Sequence, residues 1–266
     1  MSAEPASPRM IAAALRAANL DWIVPDWPAP PNVGALVTTR TGGVSAGAYA
    51  TMNLGRRSGD DAAAIAANRR RFESFLPAAP VWLEQVHGAT VAVVDRALPA
   101  GHVPVADAAV TRERGVVCAV QVADCLPVLV ADRGGTAVGV AHAGWRGLAA
   151  GVIEATVGAL RAFGIAPGEL VAWLGPAIGA TAFEVGADAR DAFCRADPGA
   201  AAAFAAIRDG KWHADLPGLA RRRLAQCGVT RVDGGGFCTF NDRTRFYSYR
   251  RERETGRMAA AIWLAG

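Results

Sequence analysis

The stretch VVCAVQVADCLPVLVADRGGTAVGVAHAGWRGLAAGVIEATVGALRAFG, residues 116–164, decides the fold. Its first half holds three short runs rich in valine, at 116–122, 127–131 and 136–141. Such runs, bounded by turns like Asp132-Arg133-Gly134-Gly135, predict strands close enough to pair as hairpins. Its second half changes period. Leu148, Val152, Ile153, Thr156, Val157, Leu160 and Phe163 recur at three and four residues, and Gly164 follows as a stop. Hairpin-like strand pairs beside a helical crossover predict an α/β (α+β) fold, a single domain of mixed β-sheets flanked by helices.

The same reading extends in both directions. Downstream, 170–174 reads as a strand, and 186–227 reads as helical with breaks at Pro198 and Pro217. Residues 229–232 and 258–264 read as closing strands, although alanine is a poor strand former. Upstream, 81–83 and 90–94 read as strands. Residues 60–76 read as a helix, with Asp60 and Asp61 at the positive end of its dipole. Residues 35–55 mix strand formers with a Gly-rich turn cluster. Residues 1–32, rich in Ala and Pro, read as a partly irregular N-terminal extension ahead of a catalytic domain at 33–266.

Composition narrows the class. Of 266 residues, 52% are hydrophobic and 20% charged, which excludes a disordered chain. The net charge of +4 is too weak and too dispersed to indicate a nucleic-acid partner. Lys211 is the single lysine, so the positive charge is almost all guanidinium, suited to bidentate recognition of phosphate or carboxylate. The five cysteines, Cys118, Cys125, Cys194, Cys227 and Cys238, form no disulfide framework and point to a reducing compartment. The apolar run at 11–15 is too short for a signal peptide, and no stretch approaches a membrane span. A cytoplasmic protein without membrane contacts is expected; oligomeric state is left open.

Three segments place reactive side chains beside apolar strands: EQVHG (84–88), ADCLPV (123–128) and HAGWRG (142–147). Two of the four histidines fall in them. Two imidazoles and a thiolate suit a tetrahedral divalent metal, with the fourth position left for water or substrate. The spacing of His87, Cys125 and His142 carries no local metal signature, so a small buried Cys and hydrogen-bonded histidines are the plain alternative. Gly144 permits a sharp turn after His142, and a helix starting near Arg146 would offer unpaired N–H groups to an anion.

These segments resemble the YfiH/YlmD family, also labelled polyphenol oxidase, laccase-domain or peptidoglycan-editing factor. TTRTGGVS (38–45), NLG (53–55), DAAVT (107–111), LGPAIG (174–179), FEVG (183–186) and YSYRRERETGR (247–257) match it in order. The resemblance implies a mixed-sheet α/β domain related to a toxin deamidase fold. It implies zinc ligation by His87, Cys125 and His142. It also implies phosphorolysis of purine nucleosides (adenosine, inosine, methylthioadenosine) to base and sugar 1-phosphate, with adenosine deamination.

Cys125 and His142 are therefore expected to be catalytic, with Asp124 as a proton shuttle and Glu84 second. Arg40, Arg146, Gln85 and Trp145 are candidates for phosphate or nucleoside contact, and Asn53 for the purine edge. Of Arg250, Arg251 and Arg257, at most one is expected to reach the site. His102 and His213 have no evident partner. No cofactor other than the metal ion is expected. Two rival enzymes use the same residues: a Cys–His hydrolase or amidase editing peptidoglycan precursors, and a copper-dependent polyphenol oxidase, since Cu²⁺ binds such sites tightly. A zinc-stabilised binding module is a non-enzymatic alternative.

Overall fold

A computed structural model describes residues 8–99 and 101–266. In chain order the elements begin with helix α1 (Pro8–Ala17), strand β1 (Val33–Val37) and helix α2 (Ala62–Glu73). Strands β2 (Val81–Trp82), β3 (Val91–Val93), β4 (Ala108–Thr111), β5 (Val117–Val122), β6 (Leu126–Asp132) and β7 (Val138–Ala143) follow. Next come α3 (Trp145–Ala149), α4 (Val152–Ala162), β8 (Leu170–Leu174), β9 (Glu184–Gly186) and α5 (Ala187–Cys194). The chain closes with β10 (Phe204–Arg208), β11 (Lys211–Ala214), α6 (Leu216–Gln226), β12 (Arg231–Gly234), α7 (Tyr249–Glu252) and β13 (Met258–Leu264).

The strands form a four-stranded sheet ordered β1-β13-β5-β2 and a six-stranded sheet ordered β12-β8-β6-β7-β4-β3, with a small sheet of β10, β11 and β9 beside them. Both large sheets are mixed: β2/β5, β3/β4 and β8/β12 are parallel, and the other pairs antiparallel. The two sheets face each other. Val120, Ala260 and Ile262 of one pack against Leu129, Val138, Val140 and Trp173 of the other. The far side of the six-stranded sheet, with Val128, Val130 and Leu174, packs on Leu148, Ile153, Leu160, Phe193 and Leu219 from α3 to α6. The far side of the four-stranded sheet meets Ile11 and Leu15 of α1 and Phe72 of α2. The order of layers is helix, sheet, sheet, helix. Strands buried on both faces read as continuous apolar runs rather than alternating ones.

β13 shows how alanine serves in a strand. All seven of its residues are buried, Ala260 and Ile262 toward one layer, Ala259, Ala261 and Trp263 toward the other. Small side chains let the central strand carry Trp263, whose indole lies where a Cβ on Gly34 would have to be.

Two expectations need correction. Residues 186–227 are not helical throughout: β10 and β11 form a hairpin, Arg208 opposite Lys211, around Asp209-Gly210 with Gly210 at φ +67°. The Asp-Gly turn signal was present but outweighed by the helix propensity of the surrounding alanines. The helix read across 148–163 is two, α3 and α4, because Gly151 takes φ +95°. The first seven residues of the 1–32 segment lie outside the described residues. No helix among the described residues is long and apolar enough to cross a membrane.

Trp263 is fully buried. Trp263→Ala is expected to destabilise the fold by about 3–5 kcal/mol in urea unfolding, the usual range for emptying such a site. A cost under about 1 kcal/mol would show that the layers collapse into the space.

Candidate metal centre

The site lies where the chain passes from one large sheet to the other. Residues 123–125 join β5 of the four-stranded sheet to β6 of the six-stranded one. Asp124 makes the turn at φ +86°, a left-handed value that Asp tolerates better than most residues. Its carboxylate points inward, accepting from Thr239 Oγ1 at 2.6 Å, Ser248 Oγ at 3.0 Å and the Arg250 N–H at 2.6 Å. Cys125 is left facing a cavity. His142 stands on β7 opposite Pro127 of β6. His87 comes from the turn after β2, at φ +61°.

One buried carboxylate holds these pieces in register. Asp107, just before β4, accepts the backbone N–H groups of Val86 at 3.1 Å, His87 at 2.9 Å and Gly88 at 2.7 Å. Its Oδ1 also lies 2.8 Å from His142 Nδ1. A carboxylate there accepts, so Nδ1 carries a hydrogen and Nε2 is the ring nitrogen left for another partner. Close packing completes the arrangement. A Cβ on Gly144 would lie 2.7 Å from Cys125 Sγ, and one on Gly147 would lie 2.7 Å from the Gly88 carbonyl.

His87, Cys125 and His142 each offer a donor atom, all within 4.8 Å of one another. Cys125 Sγ is 3.9 Å from His87 Nε2. A tetrahedral N/S set around Zn²⁺ spaces its donors roughly 3.3–3.6 Å apart, so the side chains fit such an ion with small adjustments. Burial pushes the Cys125 thiol up, but His142 and His87 more than offset this and bring it down to about 6. Burial opposes charge on His142, yet Cys125 and Asp107 raise it to about 9. The pair favours the thiolate, the form that ligates metals. The three side chains form a possible metal site, and no fourth His, Cys, Asp or Glu joins the group among the described residues. That is the open pattern of catalytic rather than structural sites.

The donors line a cavity of about 690 Å³, the size of a small-molecule site. Trp82, Gln121 and Tyr249 line it too, with Arg56, Arg57, Arg69 and Arg257. Of the residues singled out from the sequence, Glu84, Gln85 and Arg257 are on this wall and several others are not. The Gln85 amide is occupied, donating to the Gln121 carbonyl at 2.9 Å and accepting from its N–H at 2.8 Å. Glu84 pairs with Arg57 at 2.6 Å. Asp124 is buried in the hydrogen bonds above and positions Cys125 rather than facing the cavity.

Trp145 packs against the core, and Arg146 lies exposed over its ring at 4.4 Å; neither lines the wall. The short α3 therefore does not present its start to the cavity. Arg40 bonds the Ala50 and Arg243 carbonyls and Glu252, stacked on Tyr247. Arg250 and Arg251 are likewise spent on backbone carbonyls. Asn53 holds backbone rather than ligand, accepting from Gly55 and Arg257 N–H groups. Sequence reasoning missed Asp107 as an orienting group, along with Arg56, Arg69 and Tyr249. The one available signal was an acid directly before an apolar strand in DAAVT.

These features define a class: a single-domain α/β protein with a possible metal site opening on a small-molecule cavity. The chain belongs to the YfiH family, whose model, described as multi-copper polyphenol oxidoreductase laccase, matches residues 34–265. It is 53% identical over 244 residues to a purine nucleoside phosphorylase of Pseudomonas aeruginosa, covering 91% of this chain and 98% of that one. It is 50% identical to purine nucleoside phosphorylase YfiH of Escherichia coli, with the same coverage. The crystal structure of a Neisseria meningitidis protein of family DUF152 superposes with TM-score 0.86 at 51% identity, covering 92% of this chain and 100% of that one. YlmD of Geobacillus stearothermophilus superposes with TM-score 0.84 at 33% identity, covering 88% and 93%.

Asp107→Asn keeps the shape but removes the charge that orients His142. Metal affinity, measured by competition with a chromophoric chelator, is expected to fall by about 10–100-fold. Unchanged affinity would assign Asp107 to the turn alone.

Proposed function

We propose that this chain is a zinc-dependent purine nucleoside phosphorylase. It converts adenosine, inosine or methylthioadenosine and phosphate into the base and the sugar 1-phosphate, and it also deaminates adenosine. The observation that carries the reading is the convergence of His87, Cys125 and His142 on the wall of a cavity large enough for a nucleoside. The relatives named as purine nucleoside phosphorylases support it. Bound at those three side chains, zinc supplies a fixed positive charge for an anionic nucleophile and acidifies water for hydrolysis.

The chain's own residues supply the rest. In phosphorolysis a phosphate oxygen bonds to C1′ while the C1′–N9 bond breaks and its electron pair leaves with the base. Leu83, Trp82 and Tyr249 give the cavity an apolar and aromatic wall against which a base can pack. In deamination a carboxylate must move a proton at the purine. Of the two named from the sequence, Glu84 is on the wall and takes that role, while Asp124 positions Cys125. Five free cysteines fit a reducing cytoplasm, and small molecules are the partners this cavity suits.

A second reading has specific geometric support. Cys125, His142 and Asp107 also form the nucleophile, base and orienting acid of a Cys–His hydrolase. Copper oxidation is weaker, because the described residues provide one donor group rather than several.

Metal analysis is expected to find about one zinc per chain. Inosine with phosphate is expected to yield ribose 1-phosphate, and Cys125→Ala to lower the rate by on the order of 100-fold or more. Metal-free protein that turns over neither nucleoside but hydrolyses an amide would replace this reading with the hydrolase.

A further inference from the structure

The cavity that the metal donors line carries more positive charge than a neutral nucleoside requires. Four arginines line it, and two are already engaged. Arg69 donates Nε and Nη2 to the Leu54 carbonyl and stacks on Trp82 at 4.2 Å. Arg57 pairs with Glu84. Arg257 and Arg56 differ. Arg257 is half-buried and has no carboxylate partner among the described residues. Arg56 is exposed at the cavity and makes no hydrogen bond or ion pair among them.

Arg257 is also held in place. Its backbone N–H donates to Asn53 Oδ1 at 2.8 Å, and its carbonyl accepts from Leu54 at 3.0 Å. Its stem crosses Gly55, where a Cβ would lie 2.7 Å from Arg257 Cγ. Nη1 is tied to the Thr255 and Gly256 carbonyls at 2.8 and 3.0 Å. Nε and Nη2 have no such bonds. They are adjacent donors on one edge of the guanidinium, the pair that binds two oxygens of one anion. Burial lowers the Arg257 pKa. A desolvated cation without a counter-ion is a cost that an incoming anion offsets.

We propose that Arg257, with Arg56, forms the anion subsite for inorganic phosphate, the co-substrate, in the cavity that His87, Cys125 and His142 also line. Arg40 and Arg146, the arginines that the sequence singles out, have no part in it. This rests on the phosphorylase reading. It explains why NLG and the final Arg of YSYRRERETGR pack together: Asn53 and Gly55 shape the seat of Arg257.

The test uses full-length, metal-loaded protein. Phosphate KM is measured at saturating inosine and inosine KM at saturating phosphate, and inorganic phosphate alone is titrated by calorimetry. Arg257→Gln is expected to raise the phosphate KM about tenfold or more and weaken the calorimetric Kd by a similar factor. Its inosine KM and metal content are expected to change less than about threefold, the split that a direct anion contact produces. Arg56→Gln, at an exposed position that cannot unfold the chain, is expected to raise the phosphate KM about threefold. Wild-type protein without phosphate-dependent turnover would defeat the phosphorylase reading. Phosphorolysis with phosphate KM and Kd unmoved in both variants would overturn this subsite alone. If Arg257→Gln fails to fold, Arg56→Gln and the phosphate titration decide.

Discussion

The Asp107 carboxylate is the constraint on which the site depends. It collects three consecutive backbone N–H groups from the 86–88 turn and faces the His142 ring nitrogen. The His142 N–H in turn donates to the Asp107 carbonyl at 2.7 Å. One residue therefore sets the strained His87 backbone, the tautomer of His142 and the distance between them. Burial raises the cost of a carboxylate ion here, yet the bonds from His142 and the turn outweigh it, and the Asp107 pKa falls below its ordinary value. A fully engaged buried charge is rigid, and rigidity is what a three-donor centre needs.

The layered fold makes such a centre possible by placing it at a seam. The central strands of both large sheets are buried along most of their length. Where residues 123–125 leave one sheet for the other, the ladders end and a cavity forms. Asp124 closes that seam from behind, bonding the segments at 239 and 248–250. Two carboxylates thus bracket Cys125, one orienting His142 and one holding the backbone at Cys125.

Charge on the cavity is distributed with the same economy. One cysteine and two histidines line the cavity together with four arginines. Most arginines in the matched motifs are structural, capping carbonyls or stacking on rings, as Arg40, Arg250 and Arg251 do. Guanidinium suits that work, because its fixed fork satisfies several carbonyls at once. Counting arginines in a motif therefore says little about which one meets a ligand.

Much was legible in the sequence. The valine-rich runs at 116–141, the strand at 258–264 and the helix at 60–76 follow from period and turn residues, since those signals are local. His87, Cys125 and His142 were named from reactive types at strand ends and from a family resemblance, and the fold brings their donor atoms together. The hairpin at 204–214 is hidden because alanine is a strong helix former, and only the pairing of β10 with β11 overrides that local preference. The site's remaining parts were decided by tertiary structure. Asp107 and Asp124 look alike in sequence, as do Arg40, Arg146 and Arg257. What separates them is which side of a strand or turn each occupies and which partners lie there, across separations of up to 212 residues. Local pattern determines the elements and the reactive residue types; only the packing of distant segments assigns each charge to a hydrogen bond or to a ligand.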